Sequence, residues 1–544
     1  MTTALATYGP AWAAEYRERG WWRDETFLDD LFRQARERPH KPAIAGRRLA
    51  EARTDTLDYA ELARLTDRFA GALLELGVRR GDFVAVQLSS RWEIVPLIFA
   101  CARVGAVVCP IAPICPEAEL RHRLELTQAR VVITLSDWAD TPVAAITTKL
   151  CAALPAVEHV VVAGGEVPPG ARDFHSLFVA VDWENRRRED LPALALGPDE
   201  PFVVLFTSGT TGVSKGVLHS QNTIYAAVRG YLSAYGVGDE LVAVLSSPLY
   251  HYSGFAQGVL GGVMLGGTVV FQDVTDNGAL LDLVDRYAAN LLYGPPATIG
   301  DVIAAQRERP RDVGRLRHVV IGTAPVLQGL IDEVRDVLGA RAYSLWGMSE
   351  SGPVTMTRPE QPANWAAHSH GRPIGPMEVR IDPATPGGEV GRLRMRGASL
   401  ALGYHRREDA FAAEFGADGW FDTGDLARSD GRGGIRVLGR AKDAILRGGS
   451  YVPVTELEAL IARHPKVTEA ALVGLPTATG EEICAVVVAR GAAGPSLAEI
   501  RRHVRDAGAA DLPVPERVVV VDELPKTLTG KVRKAELRKR HAVR

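Results

Sequence analysis

The segment Leu205-Phe206-Thr207-Ser208-Gly209-Thr210-Thr211-Gly212-Val213-Ser214-Lys215-Gly216 mixes hydroxyl side chains with glycines and one lysine. Glycines let backbone N–H groups approach a ligand closely, and hydroxyls and an ammonium add donors. Such a set suits a polyphosphate. It is not a Walker A loop, because no Lys-Ser or Lys-Thr follows Gly212. Other residues with chemistry to offer are Glu350 in Trp346-Gly347-Met348-Ser349-Glu350, Asp425 in Gly419-Trp420-Phe421-Asp422-Thr423-Gly424-Asp425, and Lys531 in Pro525-Lys526-Thr527-Leu528-Thr529-Gly530-Lys531. Taken singly, each has a plainer reading. The glycine run describes a surface loop, Glu350 a surface carboxylate, Asp425 a turn residue and Trp346 a core side chain.

The elements that must position these groups follow a β/α rhythm. Phe202 to Phe206 reads as a buried strand that delivers the glycine run. Upstream, the pattern predicts a helix over 57–76, a strand over 83–87, a helix over 92–104 with Cys101 on its apolar side, and strands over 131–134 and 159–163. That alternation implies a layered α/β architecture. The charged stretch Arg186-Arg187-Arg188-Glu189-Asp190 reads as a solvated connection. Past residue 388 the character changes to short strands with polar turns, over 388–404 and 434–438. Gly439-Arg440-Ala441-Lys442-Asp443 is a charged, glycine-led joint. Beyond it the pattern predicts a helix near 456–464, strands over 470–473 and 483–489, a helix over 497–507 and a strand over 518–521. The expected organisation is a large layered N-terminal α/β domain with a β-rich subdomain (1–438), a hinge (439–443) and a small mobile C-terminal α+β domain (444–544).

Composition narrows the partners. Hydrophobic residues at 46% and charged residues at 24% describe an ordinary globular protein, and a net charge of −3 offers no electrostatic case for nucleic acid. The stretch from Met1 to Arg17 lacks the pattern of a secretory signal, and no apolar run is long enough for a membrane span, so a cytoplasmic protein is expected. Cys101, Cys109, Cys115, Cys151 and Cys484 are odd in number and irregular in spacing. Buried free thiols are therefore expected, without disulfides or a zinc site.

Six motifs occur in a fixed order: the glycine run, Pro248-Leu249-Tyr250-His251-Tyr252-Ser253-Gly254, and those ending at Glu350, Asp425, Asp443 and Lys531. Over nearly its whole length the chain thereby resembles the adenylate-forming superfamily of acyl-CoA synthetases, nonribosomal adenylation domains and luciferases. The resemblance implies attack of a carboxylate on the α-phosphate of ATP, release of pyrophosphate, and displacement of AMP by the thiol of CoA. It implies that Thr207, Ser208, Gly209, Thr210, Thr211, Gly212 and Lys215 hold the departing phosphates. Glu350 would help place Mg²⁺, and Ser349, where the family usually has Thr, would reach the α-phosphate. Trp346, where the family usually has Tyr, would stack on adenine, with Gly322, Thr323 and Ala324 covering the other face. Asp425 would bind the ribose hydroxyls with Arg440 nearby. Lys531 would neutralise the reacting carboxylate and phosphate, and Lys526 would be a solvated bystander. Lys442 occupies the hinge position, and Gly448 and Gly449 match the pair that lets pantetheine pass. After the hinge this chain departs from the family: Tyr451 replaces the usual Asn and the proline, Pro453, comes one position early.

The same resemblance places the acyl pocket among Tyr250, His251, Tyr252, Phe255, Leu345 and Met348, with Val326 beside them, which makes it largely apolar. His251 would close the pocket near the acyl group. Tyr252 stands where dihydroxybenzoate-activating relatives carry Asn. The segments 16–26 and 215–222 resemble cyclohexanecarboxylate-type and short- or medium-chain acyl-CoA ligases, pointing to a cyclic, aromatic or modest aliphatic acid. Three other readings accompany this one: a carrier-protein phosphopantetheine as acceptor, activation of nitrite for diazotisation of an aryl amine, and a non-catalytic nucleotide-binding scaffold. The pattern around Lys531 is also an acetylation target in bacterial relatives.

Overall fold

The computed structural model describes residues 4–207, 214–384, 388–447, 450–477, 480–491, 493–507, 513–526 and 532–542. Ser208, Gly209, Thr210, Thr211, Gly212, Gly448, Gly449 and Lys531, singled out by sequence, lie outside the described residues.

Two large sheets dominate. One runs, in spatial order, Arg372–Pro373, Gly352–Met356, Arg341–Met348, His318–Ile321, Leu291–Gly294, Val242–Leu245, Thr268–Gln272, Pro42–Arg48 and Arg53–Asp58. The other runs Gly403–Tyr404, Lys215–Ser220, Pro201–Thr207, Val107–Ile111, Phe83–Gln87, Val131–Leu135, His159–Ala163 and Arg172–Asp173. Their central strands are parallel and buried on both faces, which is why they read as unbroken Val/Ile/Leu runs. A single hydrophobic cluster contains side chains of both sheets, Ile44 and Leu245 from one and Val84 and Val203 from the other. The helix Ile94–Arg103 is apolar all round for the same reason, with every residue from Ile94 to Ala102 buried.

The helix expected over 57–76 begins two residues later, at Tyr59. Asp58 ends the preceding strand and caps the helix, its carboxylate accepting from Glu61 N at 2.8 Å. The short strands expected over 388–404 divide between layers. Val390–Gly397 joins a four-stranded antiparallel sheet with Met377–Pro383, Phe421–Ser429 and Ile435–Arg440, whereas Gly403–Tyr404 pairs with Lys215–Ser220 in the second large sheet. After the 3₁₀ turn Ala441–Asp443 come the helix Val454–Ala462, a sheet of Val467–Thr477, Gly480–Ala489 and Arg517–Val521, and the helices Leu497–Asp506 and Lys534–His541. These build their own core around Leu457, Ile461, Leu472 and Ile500. The five cysteines are free thiols; four are buried, but Cys115 is only half-buried. Among the described residues no helix is long and apolar enough to cross a membrane, and no cluster of His, Cys, Asp and Glu could hold a metal.

Candidate active site

In the first sheet the parallel strands ending at Leu245, Gly294 and Ile321, and the strand ending at Met348, lead at their carboxyl ends into the segments singled out by sequence. Crevices outside the carboxyl ends of parallel strands are where α/β sheets bind ligands. Gly322 follows Ile321 and is buried, with Thr323 and Ala324 exposed beyond it. A Cβ on Gly322 would stand 3.1 Å from the Tyr293 hydroxyl and 3.7 Å from Leu345 Cδ2, so only glycine leaves that approach open. Thr323 has φ of 73°, a strained setting for a β-branched residue.

The strand Arg341–Met348 delivers Trp346, Ser349 and Glu350. Trp346 Nε1 donates to Asp425 Oδ2 at 3.1 Å, and Arg440 Nε lies 3.2 Å from Asp425 Oδ1. Asp425 and Arg440 face each other as cross-strand partners in the four-stranded sheet, and Arg440 also donates to Thr423 O. The three residues assigned to adenine and ribose thus converge, although they come from different sheets.

Glu350 is buried, with 7% of its surface exposed. Its Oε1 accepts from the Tyr404 hydroxyl at 2.9 Å, and its backbone carbonyl accepts from Ala401 N. Burial and the Glu350 carboxylate together push the Tyr404 phenol well above its ordinary range. The Tyr404 ring receives Lys215, whose Nζ lies 4.3 Å from the ring centroid and 3.4 Å from Glu414 Oε1. Thr207 pairs with Lys215 across the two strands that flank residues 208–213. Lys215, Tyr404 and Glu350 therefore form a continuous chain from the glycine run to the carboxylate.

The carbonyl of Ser349 is held from behind. His219 is fully buried, its Nε2 2.7 Å from Ser349 O and its Nδ1 3.0 Å from Thr223 Oγ1. A carbonyl only accepts, so Nε2 carries the proton and Nδ1 accepts. Burial lowers the His219 pKa to about 4, the Ser349 carbonyl opposing in part, which keeps the ring neutral.

The acyl-pocket residues separate into two groups. Leu345 and Met348 sit at the strand end beside Gly322. Tyr250 is half-buried and lies 5.0 Å, ring to ring, from His251. His251 keeps an exposed face, yet the protein packed around its ring and the charge of Arg123 lower its pKa. Tyr252 and Phe255 instead turn into the core: Tyr252 packs edge-on against His219, and Phe255 packs on Phe202 of the second sheet. The helical turn that carries them, Ser253–Leu260, is widened to i→i+5 hydrogen bonding. Its Ser253 and Gln257 line a narrow cavity with Tyr293, Tyr231 and Tyr235. That cavity is only about 10 Å³, and none of the expected pocket residues lines it.

Lys442 is exposed in the turn Ala441–Asp443, and partial desolvation lowers its pKa. The next residue, Asp443, pairs with Arg538 of the last helix at 3.3 Å. Lys526 is not simply solvated: it pairs with Glu469 at 2.6 Å. Lys526 and Val532, which flank Lys531 in sequence, form an antiparallel bridge. Between the large and small parts Arg436 pairs with Glu456 at 2.6 Å, and Leu327 packs into the small core. Sequence reasoning did not single out Tyr404 or His219, which the structure joins to Glu350 and Ser349. His219 and Tyr404 were hidden because their roles rest on partners more than 50 residues away.

Comparison with known proteins identifies the family and the fold. A family model described as "AMP-binding enzyme" matches residues 31–405, and one described as "AMP-binding enzyme C-terminal domain" matches 456–531. The 2-hydroxy-7-methoxy-5-methyl-1-naphthoate–CoA ligase of Streptomyces carzinostaticus is 31% identical, over 97% of this chain and 95% of its own length. The medium-chain fatty-acid–CoA ligase of Escherichia coli K12 is 29% identical, over 98% of this chain and 93% of its own. Among solved structures, the anthranilate CoA ligase AuaEII in complex with anthranoyl-AMP shares the fold, with a TM-score of 0.81 at 22% identity over 95% of this chain and 97% of that one.

Proposed function

Because this chain belongs to the AMP-binding enzyme family, we propose that it joins a carboxylic acid to CoA through an acyl adenylate. The observation that carries the reading is the meeting of three sheets at one crevice: Gly322, Trp346 and Glu350 from the first, Lys215 and Tyr404 from the second, Asp425 and Arg440 from the third.

In the first half-reaction a carboxylate oxygen attacks the α-phosphorus of ATP and the bond to pyrophosphate breaks. Such transfer needs positioning and charge neutralisation more than covalent help. We assign Thr207, Lys215 and residues 208–212 to the departing phosphates, Ser349 to the α-phosphate and Lys531 to the reacting carboxylate. A carboxylate has about four acceptor sites, so Asp425 can serve Arg440, Trp346 and two ribose hydroxyls together. Glu350, a buried oxygen donor held by Tyr404, fits a hard divalent cation, and Mg²⁺ when bound neutralises phosphate charge there. In the second half-reaction the CoA thiol adds to the acyl carbonyl and AMP leaves. The segment 439–443 serves as the hinge for that step, with Lys442 at the hinge position and Gly448-Gly449 beside the pantetheine path. The reading places the enzyme in the cytoplasm. The relative named as a naphthoate–CoA ligase favours a cyclic or aromatic acid.

Product analysis by mass spectrometry tests this, with ATP, Mg²⁺ and a panel of acids, with and without CoA. Acid-dependent AMP together with a CoA thioester is the expected result. Pyrophosphate release without thioester replaces CoA by another acceptor, such as a carrier protein. No acid-dependent release overturns the reading. In the same assay Lys531→Ala abolishes most acid-dependent pyrophosphate exchange while Lys526→Ala retains it; equal loss in both removes Lys531 from its assigned role.

A further inference from the structure

The backbone of Ser349-Glu350 is held from two sides. The Ser349 carbonyl accepts from His219, and the Glu350 carbonyl accepts from Ala401 N at 2.7 Å. Both holders are tied in turn to one segment near the start of the chain, residues 16–27, which precedes the span matched by the family model. On one side Trp22, 1% exposed, donates from Nε1 to Ala398 O at 2.9 Å, three residues before Ala401. Tyr16 packs edge-on against the Trp22 ring, and Ala398 and Leu402 share a buried cluster with the pair. On the other side Arg23 N donates to Asn222 Oδ1 at 2.9 Å, and Asn222 Nδ2 donates back to Arg23 O at 3.0 Å. Phe27 N donates to Gln221 Oε1 at 2.9 Å. Gln221 and Asn222 are buried at the start of the helix Gln221–Ser233, and the next residue, Thr223, is the partner of His219 Nδ1. Buried bonds of this kind are costly to break, because no water replaces the lost partner. The segment thus runs as a strap from one holder to the other.

Resting on the proposed ligase function, we infer that residues 16–27 set the position of Glu350 for the divalent cation, with Trp22 as the positioning residue. Trp22 acts through the segment 398–404, which carries both Ala401 N and the Tyr404 hydroxyl to Glu350. Trp22→Phe keeps a ring in the cluster and removes only the N–H. Ala398 is fully buried, so its carbonyl then lacks a donor that solvent cannot supply. The segment relaxes, and the two groups that fix the Glu350 carbonyl and carboxylate move with it. Mg²⁺ demands near-ideal octahedral geometry, so a small displacement of one oxygen donor is felt first in the metal. Asp425 takes its own bonds from Trp346 and Arg440, so nucleotide binding without metal is expected to survive.

The test is isothermal titration calorimetry of the full chain with ATP, once in Mg²⁺ and once in EDTA, for wild type, Trp22→Phe and Gln221→Met. The last variant removes the acceptor for Phe27 N at nearly constant size, and covers a failure of the first to fold. Mg²⁺ should tighten ATP binding to wild type. Each folded variant should lose at least about threefold in affinity with Mg²⁺, and stay within about twofold of wild type in EDTA. In pyrophosphate exchange the Mg²⁺ concentration for half-maximal rate should rise by a similar factor while the KM for the acid is unchanged. Equal losses with and without Mg²⁺ mean that the strap supports the fold alone, and overturn the inference. Affinities unchanged in every folded variant overturn it as well, as does a wild type that binds ATP equally well in EDTA. Absence of acid-dependent exchange beside the expected calorimetric pattern refutes the ligase reading alone, so the two failures are distinguishable.

Discussion

His219 offers a prediction in which stability and chemistry are read from one ring. Burial holds its pKa at about 4, against 6.5 for an exposed histidine. The unfolded chain therefore takes up a proton near pH 6.5 that the folded chain refuses until about pH 4. The stability contributed by the neutral ring is complete above pH 6.5 and is lost as pH falls through that window. Each pH unit inside the window costs about 1.4 kcal/mol for one such group. Between pH 6.5 and pH 5 wild type thus loses about 2 kcal/mol on account of His219 alone. The substitution His219→Gln keeps a donor for Ser349 O and an acceptor for Thr223 but cannot titrate. At pH 7 it is expected to cost about 1 kcal/mol, for imperfect replacement of two hydrogen bonds. The gap between the two proteins then closes, and reverses by about 1 kcal/mol, on going to pH 5. Urea unfolding followed by tryptophan fluorescence at pH 7, 6 and 5 measures it, because the other buried histidines titrate alike in both proteins. Parallel stability curves would refute the reasoning, since they mean that the ring is not held neutral. The chemical arm is pyrophosphate exchange at pH 7. Displacing the Ser349 carbonyl moves Ser349 and Glu350 together, so kcat falls while the KM for the acid stays within twofold, about the effect of a misplaced reacting group rather than a lost binding contact.

Three further perturbations address the remaining parts of the crevice. Trp346→Phe keeps an aromatic shelf but removes the N–H that holds Asp425; a hydrogen bond to a charged group is worth about 1.5–3 kcal/mol, and with Arg440 still in place the KM for ATP should rise about tenfold. An unchanged KM shows that the bond does not orient Asp425. Tyr404→Phe retains the ring beneath Lys215 and removes only the hydroxyl on Glu350, so the Mg²⁺ concentration for half-maximal exchange should change at least threefold, roughly 0.7 kcal/mol, and a superimposable Mg²⁺ titration rejects the link. Thr323→Gly relieves a left-handed backbone and should raise stability by about 1 kcal/mol while weakening ATP binding measured by calorimetry; a loss of stability would mean that the strain is illusory.

The parts of this molecule legible in sequence are those governed by neighbours along the chain. Val/Ile/Leu runs such as 83–87 and 159–163 became strands with the expected bounds because full burial on both faces leaves no other use for them. The convergence of Trp346, Asp425 and Arg440 was legible only through motif order, since no local pattern joins residues 79 positions apart. Boundaries shifted where one polar side chain decided, as at Asp58, which serves the strand behind it and the helix ahead. Tyr252 and Phe255, expected at the pocket from a linear motif, pack against the core on a turn whose i→i+5 hydrogen bonding changes the rotation per residue. Helical periodicity of 3.6 cannot foresee that rotation. Tyr404 was grouped with the strands before it, and its pairing with Val217 depends on a register between distant segments.

Leu327 stands five residues beyond Gly322 yet packs into the core of the small part, and Gly329 beside it faces Arg463 of the helix that follows the hinge. The strained loop at Thr323 and the posture of the small part are therefore not independent variables. Any ligand that settles that loop differently in two postures changes their ratio, and by reciprocity each posture changes the ligand's affinity by the same factor. A tenfold difference in nucleotide affinity is enough to move an even population to about ten to one. On the proposed ligase reading, departure of pyrophosphate and arrival of a thiol would each act on that ratio through the Leu327 contact.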